Sequence, residues 1–244
     1  MLALGLLLLT AILLVGLTLL RRRSPASLRI IEAYERLNRS VGLAVEKGTR
    51  LHISLGRGNF ISARGGSALA GLAMLRRLAE RTSVSDRPPI VTSGDASLAI
   101  LSQDTLQAGY RAAGAEDQYR FTTGRLAGLT PFSYAAGTLS TIHDENVSAN
   151  IVIGDLGAES GLLAEASDRE DTSLIAASDD LSAQSVFLAS AQEPLIGEEL
   201  FAAGAYVGAG ASHEASLHVQ DILRWLIILA ILIGAGLTIL GVPI

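Results

Sequence analysis

The first apolar run of the chain covers residues 1–20 and contains no charged side chain. Three cations, Arg21, Arg22 and Arg23, follow it at once. Twenty helical residues extend about 30 Å, which is the thickness of the hydrocarbon core of a bilayer. The alternative is a cleavable signal peptide. In a signal peptide the cations precede the apolar run and a small-residue cleavage site follows it, whereas in this chain the cations follow the run and no such cleavage site is found. The pattern favours a transmembrane helix at 1–20.

A second apolar run covers residues 226–244 and is equally free of charge. Arg224 and Trp225 stand just before it, and cations and indole rings are the side chains that gather at the level of the lipid headgroups. We therefore expect a second transmembrane helix at 221–244. Arg224, Trp225 and the three arginines after the first run are the expected membrane-interface residues.

Charge indicates how the protein is oriented. Residues 21–50 carry eight Arg and Lys and three Glu, a net charge of +5, whereas residues 51–244 carry a net charge of −10. Because cationic segments beside a span stay in the cytoplasm, we expect a multi-pass protein of the cell membrane. Residues 21–50 would form a basic juxtamembrane connector and residues 51–220 a cytoplasmic domain. The overall charge of −5 argues against nucleic acid as a partner.

The connector has an amphipathic pattern. Leu28, Ile31, Leu37 and Val41 recur at near-helical spacing among charged residues, which predicts a helix with one apolar face. This helix would lie against the headgroups, where each arginine adds about 1 kcal/mol of attraction to anionic lipid, or it would pack on the cytoplasmic domain. The sequence leaves both alternatives open.

Between residues 51 and 220, short apolar runs alternate with helical patterns. Strands are predicted at 51–55, 90–92, 119–122, 150–153 and 174–177. Helices are predicted at 67–81, 97–113, 131–143, 159–166, 181–191 and 198–207. This alternation predicts an α/β fold with a mostly parallel, Rossmann-like sheet and flanking helices, in addition to one transmembrane helix at each terminus.

Three of the predicted strands end in small residues and aspartates, and a glycine-containing loop follows another. Ligands bind outside the carboxyl ends of parallel strands, where aspartates could hold Mg²⁺ and glycine N–H groups could face an anion. The same aspartates are equally suited to capping the helices that follow. The candidate ligand-binding residues are Gly56, Arg57, Gly58, Ser93, Gly94, Asp95, Gly154, Asp155 and Asp179.

Known catalytic patterns do not occur in this sequence. The chain has no Cys, its four His residues lack metal-site spacing, and it has neither a G-x-S-x-G elbow nor a phosphate-binding P-loop. We therefore expect no catalytic residue, no metal and no cofactor, and the sequence favours a protein that is not an enzyme. A hydrolase or transferase that uses the strand-end aspartates is a weaker alternative.

Four segments carry a resemblance to a known family. They are residues 51–58, 91–95, 149–154 and 195–206. Together they resemble an uncharacterised family of bacterial membrane proteins, a domain of unknown function with two terminal transmembrane helices. The resemblance covers most of residues 50–224 and implies one defined domain, but no activity and no site residue.

The leading hypothesis is a membrane-anchored structural or assembly protein that homo-oligomerises through its cytoplasmic α/β domain. Gly16, Gly234 and Gly236 would permit close helix contacts within the bilayer. The first alternative is a membrane protein that senses a ligand or nucleotide at the carboxyl ends of the strands. The second is an accessory subunit of a larger membrane complex, with other membrane-protein subunits as partners.

Overall fold

The computed structural model describes residues 2–24, 27–59 and 65–240. The chain divides into two compact units, one formed by Met1–Leu28 together with Gly210–Ile244 and the other by Arg29–Ala209. We call the first the terminal unit and the second the body. The domain predicted from the sequence covered residues 51–220, so the body begins earlier and ends earlier than that domain.

The terminal unit consists of two apolar helices. Helix α1 covers Leu2–Arg21 and helix α9 covers Ala211–Ile239. None of the residues in their apolar stretches is buried, and both helices are long and apolar enough to cross a membrane. The predicted spans also contain Met1 and residues 241–244, which lie outside the described residues.

The body alternates strands and helices, which confirms the predicted α/β class. The strands are β1 (Arg50–Gly56), β2 (Ile90–Ser93), β3 (Gly124–Leu126), β4 (Val147–Asp155), β5 (Ser173–Ala177) and β6 (Glu193–Leu195). The α-helices are α2 (Glu32–Lys47), α3 (Gly65–Thr82), α4 (Ala96–Ala112), α5 (Pro131–Asp144), α6 (Ser160–Arg169), α7 (Leu181–Ser190) and α8 (Ala203–Tyr206). Short 3₁₀ helices lie at Glu116–Gln118, Phe121–Thr123 and Gly197–Ala202.

All six strands form one parallel sheet in the order β3-β2-β1-β4-β5-β6. Each crossover between neighbouring parallel strands contains a helix, which is the usual form of such a connection. The strand order reverses at β1, whose neighbours are β2 on one side and β4 on the other. The carboxyl ends of β1 and β4 therefore lie side by side at this reversal.

The two faces of the sheet differ in polarity. Alternate residues of β1 and β4, such as Leu51, Ile53 and Ile151, join the large apolar core under α2, α3 and α4. The residues between them point to the opposite face, where α5, α6 and α7 cover a smaller apolar cluster. In the central strands this second face carries His52 and Asn150, both fully buried, so its centre is polar.

Helix α2 packs on the body. Its buried residues Tyr34, Leu37, Val41 and Ala44 belong to the large apolar core. Of the two locations that the sequence left open for this helix, the structure therefore shows the one against the domain. Burial of apolar surface contributes roughly 25 cal/mol per Å², and this burial favours the location on the domain.

The two ends of the body are joined directly. The rings of Tyr34 and Tyr206 stack with their centroids 4.8 Å apart. The Tyr206 hydroxyl donates to the Arg29 carbonyl oxygen at 2.7 Å, and the Tyr34 hydroxyl donates to the Glu199 carbonyl oxygen at 2.6 Å. An ion pair between Arg29 and Glu199 completes the contact. The first and last segments of the body therefore lie side by side.

Two local predictions were wrong. The strand predicted at 119–122 is a 3₁₀ helix at Phe121–Thr123, and the edge strand begins only at Gly124. A Cβ atom at Gly124 would lie 2.7 Å from Gln103 Cγ, so only glycine lets this strand approach α4. The helix predicted at 198–207 is largely the 3₁₀ helix Gly197–Ala202, which is followed by the single turn α8.

Candidate functional site

The carboxyl ends of β1, β2 and β4 bring several of the candidate residues into contact. Gly94 N–H donates to the Gly56 carbonyl oxygen at 2.8 Å, and Arg57 N–H donates to the Asp155 carbonyl oxygen at 2.9 Å. A Cβ atom at Gly58 would lie 2.8 Å from the Cβ of Asp155. These residues line the point where the strand order reverses, which we call the switch-point site.

Two glycines of the switch-point site are required by the strands themselves. Gly56 has a φ of +70°, and a Cβ atom there would lie 2.5 Å from the Asp155 carbonyl oxygen. Gly154 has a φ of +151°, and a Cβ atom there would overlap the Leu55 carbonyl oxygen. Both backbone conformations favour glycine. The close approach of β1 to β4 therefore accounts for these two glycines without any ligand.

Arg57 is held in an ion pair across the switch-point site. Its Nε donates to Glu159 Oε1 at 2.6 Å, and Gly157 N–H donates to the same oxygen at 3.0 Å. Its aliphatic stem packs on Gly94, where any Cβ atom would overlap it. The Glu159 side chain is only 2% exposed. The sequence marked residue 159 only as the start of a helix, since nothing local indicates its partner.

The charge state of Glu159 follows from its partners. Burial by itself would raise the pKa of this carboxyl, but the bonds from Gly157 N–H and Arg57 outweigh burial, and the pKa lies below its usual value. Glu159 is therefore a carboxylate that neutralises Arg57. Arg57, a candidate ligand-binding residue by sequence, is therefore already paired with a carboxylate.

The strand-end aspartates do not share one role. Asp95 caps α4, accepting bonds from Leu98 N–H at 3.1 Å and from the Ser97 hydroxyl. The bond from Ser97 contributes most to lowering the pKa of Asp95. Asp180, adjacent to the candidate Asp179, caps α7 in the same way. In the described ranges, no group of three or more His, Asp or Glu residues is placed to hold a metal ion.

Ser93 faces the edge of the sheet instead of the switch-point site. Its hydroxyl donates to the Arg125 carbonyl oxygen on β3 at 3.3 Å. Asp155 ends β4 beside Gly56, and Asp179 follows β5, the next strand of the sheet. Of the nine candidates, the contacts thus join Gly56, Arg57, Gly58, Gly94, Gly154 and Asp155.

A buried polar chain crosses the second face of the sheet next to the switch-point site. His52 Nδ1 lies 2.6 Å from Asn150 Oδ1, which only accepts, so the ring donates through Nδ1. His52 Nε2 then accepts from the Thr92 hydroxyl at 2.9 Å. Asn150 Nδ2 donates in turn to Ser167 Oγ at 2.8 Å. Every member has a partner, as a buried polar network requires.

Tyr134 links this chain to the switch-point site. Its buried hydroxyl interacts with Thr92 of this chain, shares a hydrogen bond with Ser54 and accepts from Gly56 N–H at 3.2 Å. The apolar pattern alone does not predict this network. The signal that indicates it is the alternation of His52 and Ser54 with apolar residues in β1, a strand that is buried on both faces.

Burial also sets the charge of His52. The ring is fully buried, and burial lowers its pKa to about 4. The bond to Asn150 raises the pKa only in part, and Arg125 lowers it further. His52 is therefore neutral near pH 7, in agreement with a ring that donates at one nitrogen and accepts at the other.

The predicted membrane-interface residues lie in the terminal unit. Arg21 Nη2 lies 2.9 Å from His218 Nε2, and His218 Nδ1 donates to the Glu214 carbonyl oxygen, so Arg21 is the donor to this ring. This bond joins the end of α1 to α9. Arg22 and Arg23 are exposed, and Trp225 is 69% exposed.

A comparison with known protein families shows to which family the chain belongs. Over residues 1–244 it matches the family described as a domain of unknown function, DUF6754. The chain belongs to this family. The predicted membership in a family of unknown function is thereby confirmed, and the match covers both the terminal unit and the body. No curated protein and no solved structure matches the chain.

Proposed function

We propose that this member of the DUF6754 family is a membrane-anchored assembly protein that homo-oligomerises. The observation that supports membrane anchoring is the exposure of two long apolar helices. Helix α1 precedes the body in the sequence and helix α9 follows it. Such exposure in water would be strongly unfavourable, whereas a bilayer removes the penalty. The basic segment 21–50 favours a cytoplasmic body.

Open glycine surfaces in the terminal unit support association in the membrane. Cβ atoms built at Gly5, Gly16 and Gly236 meet no atom of the described residues within 4 Å. Packing between α1 and α9 therefore does not use these positions. Small residues allow membrane helices to approach closely, so these surfaces are available to helices of a second copy.

The body offers a second surface for association. Helix α7 contains no charged residue. Its Leu181 and Leu188 side chains are 80% and 66% exposed and lie two helical turns apart, on one face. An uncharged apolar face meets no electrostatic repulsion from its own copy, and this supports contact between bodies as well as between spans.

Native mass spectrometry of the full chain in mild detergent tests this proposal. We expect one defined oligomer, because both surfaces recur in every copy. Gly16→Leu combined with Gly236→Leu should shift the population toward monomer, since added side chains block close helix approach. Gly42→Leu, at an equally open glycine of the body, is the matched control and should leave the oligomer intact.

Two outcomes would contradict the assembly proposal. A strict monomer at all protein concentrations would exclude homo-oligomerisation. A particle from native membranes in which this chain is a single copy among other subunits would instead support the alternative of an accessory subunit in a larger membrane complex.

A second candidate function, ligand sensing, is favoured by the order of the strands. The order β3-β2-β1-β4-β5-β6 is that of Rossmann domains, which bind dinucleotides where the order reverses. The switch-point site occupies this position. Among the described residues of this site, the carboxylates Asp155 and Glu159 outnumber Arg57, so a divalent cation would help to balance the charge of a phosphate-bearing ligand.

Thermal unfolding of the full chain with ATP or NAD, each with and without Mg²⁺, tests ligand sensing. A ligand that binds only the folded state raises the midpoint, and we expect Asp155→Asn to abolish that rise. Asp168→Asn, an exposed acid on α6, should preserve it. Unchanged midpoints with every nucleotide would exclude nucleotides as ligands of this site.

A further inference from the structure

A hydrogen bond between the end of α1 and α9 depends on the protonation state of one histidine. Arg21 Nη2 lies 2.9 Å from His218 Nε2. His218 Nδ1 lies 2.9 Å from the Glu214 carbonyl oxygen, which can only accept, so Nδ1 carries the hydrogen of the ring. Nε2 then has the lone pair that accepts from the guanidinium. This geometry requires a neutral His218 ring.

Arg21 has few other partners. Its Nη1 donates to the Ser24 carbonyl oxygen at 3.5 Å, and its Nε is buried without a hydrogen-bond partner among the described residues. No carboxylate is among these contacts, whereas Arg29 and Arg57 each pair with a glutamate. The bond to His218 is therefore the shortest of the contacts that hold the Arg21 guanidinium in place.

The charges around His218 determine how its ring responds to pH. The other titratable or charged groups on the adjoining turns of the two helices are His213, Glu214, Asp221 and Arg224 on α9 and Arg22 and Arg23 on α1. Asp221 pairs with Arg224 at 3.4 Å, so these two charges largely balance. Arg21 is in hydrogen-bond contact with the ring, and it therefore opposes a positive charge on His218 most directly.

We propose that Arg21 and His218 form an acid-sensitive clasp between α1 and α9. Histidine rings change charge between about pH 5 and about pH 8. When Nε2 takes up a proton, it becomes a donor that faces another donor, and two positive charges lie in contact. The hydrogen bond is then lost and the end of α1 separates from α9. This inference concerns a contact within one chain, whereas the assembly proposal concerns contacts between chains.

Distances between two spin labels, measured by pulsed electron paramagnetic resonance in phosphatidylcholine vesicles, test the clasp. The chain has no Cys, so Arg23→Cys and Gln220→Cys, both at exposed positions, introduce the labels. Labelled chain is diluted with unlabelled chain, so that distances within one copy are measured whatever the oligomeric state. We expect the mean distance to increase and its distribution to broaden between about pH 8 and about pH 5.

Variants of His218 fix the charge of this position. His218→Gln keeps an uncharged acceptor for Arg21 at every pH, so the distance between the labels should stay short and independent of pH. His218→Lys is cationic throughout this interval, so the distance should be long already at about pH 8. His213→Gln, at a second histidine of α9, is the matched control and should keep the response of the parent.

Three results would overturn the proposal. They are a parent distance that is the same at both pH values, a pH response that persists in His218→Gln, and a His218→Lys distance equal to that of the parent at about pH 8. Circular dichroism at both pH values shows whether each variant keeps its helices. A longer distance with unchanged helix content then reflects opening of the clasp instead of unfolding.

Discussion

Replacing Gly154 by alanine is expected to lower the free energy of unfolding by about 3 kcal/mol or more, the combined effect of a strained backbone and an overlapping Cβ atom. Gly154 has a φ of +151°, which side-chain-bearing residues rarely adopt. The added Cβ would also overlap the Leu55 carbonyl oxygen on the neighbouring strand. Because β1 and β4 are central strands, neither can retreat without disturbing the whole sheet.

Urea unfolding of the full chain in detergent, followed by circular dichroism, measures this effect. Gly161→Ala is the matched control, because Gly161 lies in α6 and a Cβ there has its nearest neighbour at 4.0 Å. Alanine in a helix is more favourable than glycine by about 1 kcal/mol, so this variant should be slightly more stable. A Gly154→Ala protein as stable as the parent would show that the strand ends are not tightly coupled.

The second large effect is a loss of stability as the pH falls from 6.5 toward 4. In the unfolded chain His52 takes up its proton near pH 6.5, its ordinary value, whereas in the folded chain its pKa is about 4. The unfolded state therefore binds more protons in this interval, and stability rises with pH. Above pH 6.5 the neutral His52 ring makes its full contribution to the free energy of unfolding. By pH 4 roughly 3 kcal/mol of that contribution is lost.

Comparison of variants isolates the contribution of His52. His52→Gln should be less stable near pH 7, since it disturbs the bonds to Thr92 and Asn150, but its stability should fall less steeply between pH 6.5 and 4. His143→Gln should nearly keep the slope of the parent in this interval, because the bond to Glu170 raises the pKa of the exposed His143 and its contribution to stability therefore changes mainly at and above pH 6.5. Equal slopes for His52→Gln and the parent would mean that His52 is not neutral and buried in the folded protein.

Much of the fold could be predicted because its signals are local. The spacing of Leu69, Leu72, Leu75 and Leu78 predicted α3, which buries three of these four leucines. Apolar runs such as Ile90–Ser93 are long enough for buried strands and too short for helices. The position of the edge strand β3 is not evident from the sequence because Gly124 has low strand propensity, and its pairing with β2 makes it part of the sheet.

The candidate site was harder to predict, because its contacts join residues far apart in the chain. Asp95 could be a ligand or a cap by its position, and the bond from Leu98 N–H shows the cap. Arg57 could be an anion contact by its type, and its partner Glu159 lies on another crossover. A single sequence holds no information on such pairs beyond the residue types, since many pairings satisfy the same charges.

The sequence by itself determined the apolar terminal segments, the basic connector and the alternation of strands and helices, because each depends on the hydrophobicity, charge or periodicity of neighbouring residues. Only the tertiary structure decided the strand order, the pairing of Arg57 with Glu159 and the buried chain through His52. These features depend on which residues the sheet brings together from distant segments, and packing of the whole body fixes that choice.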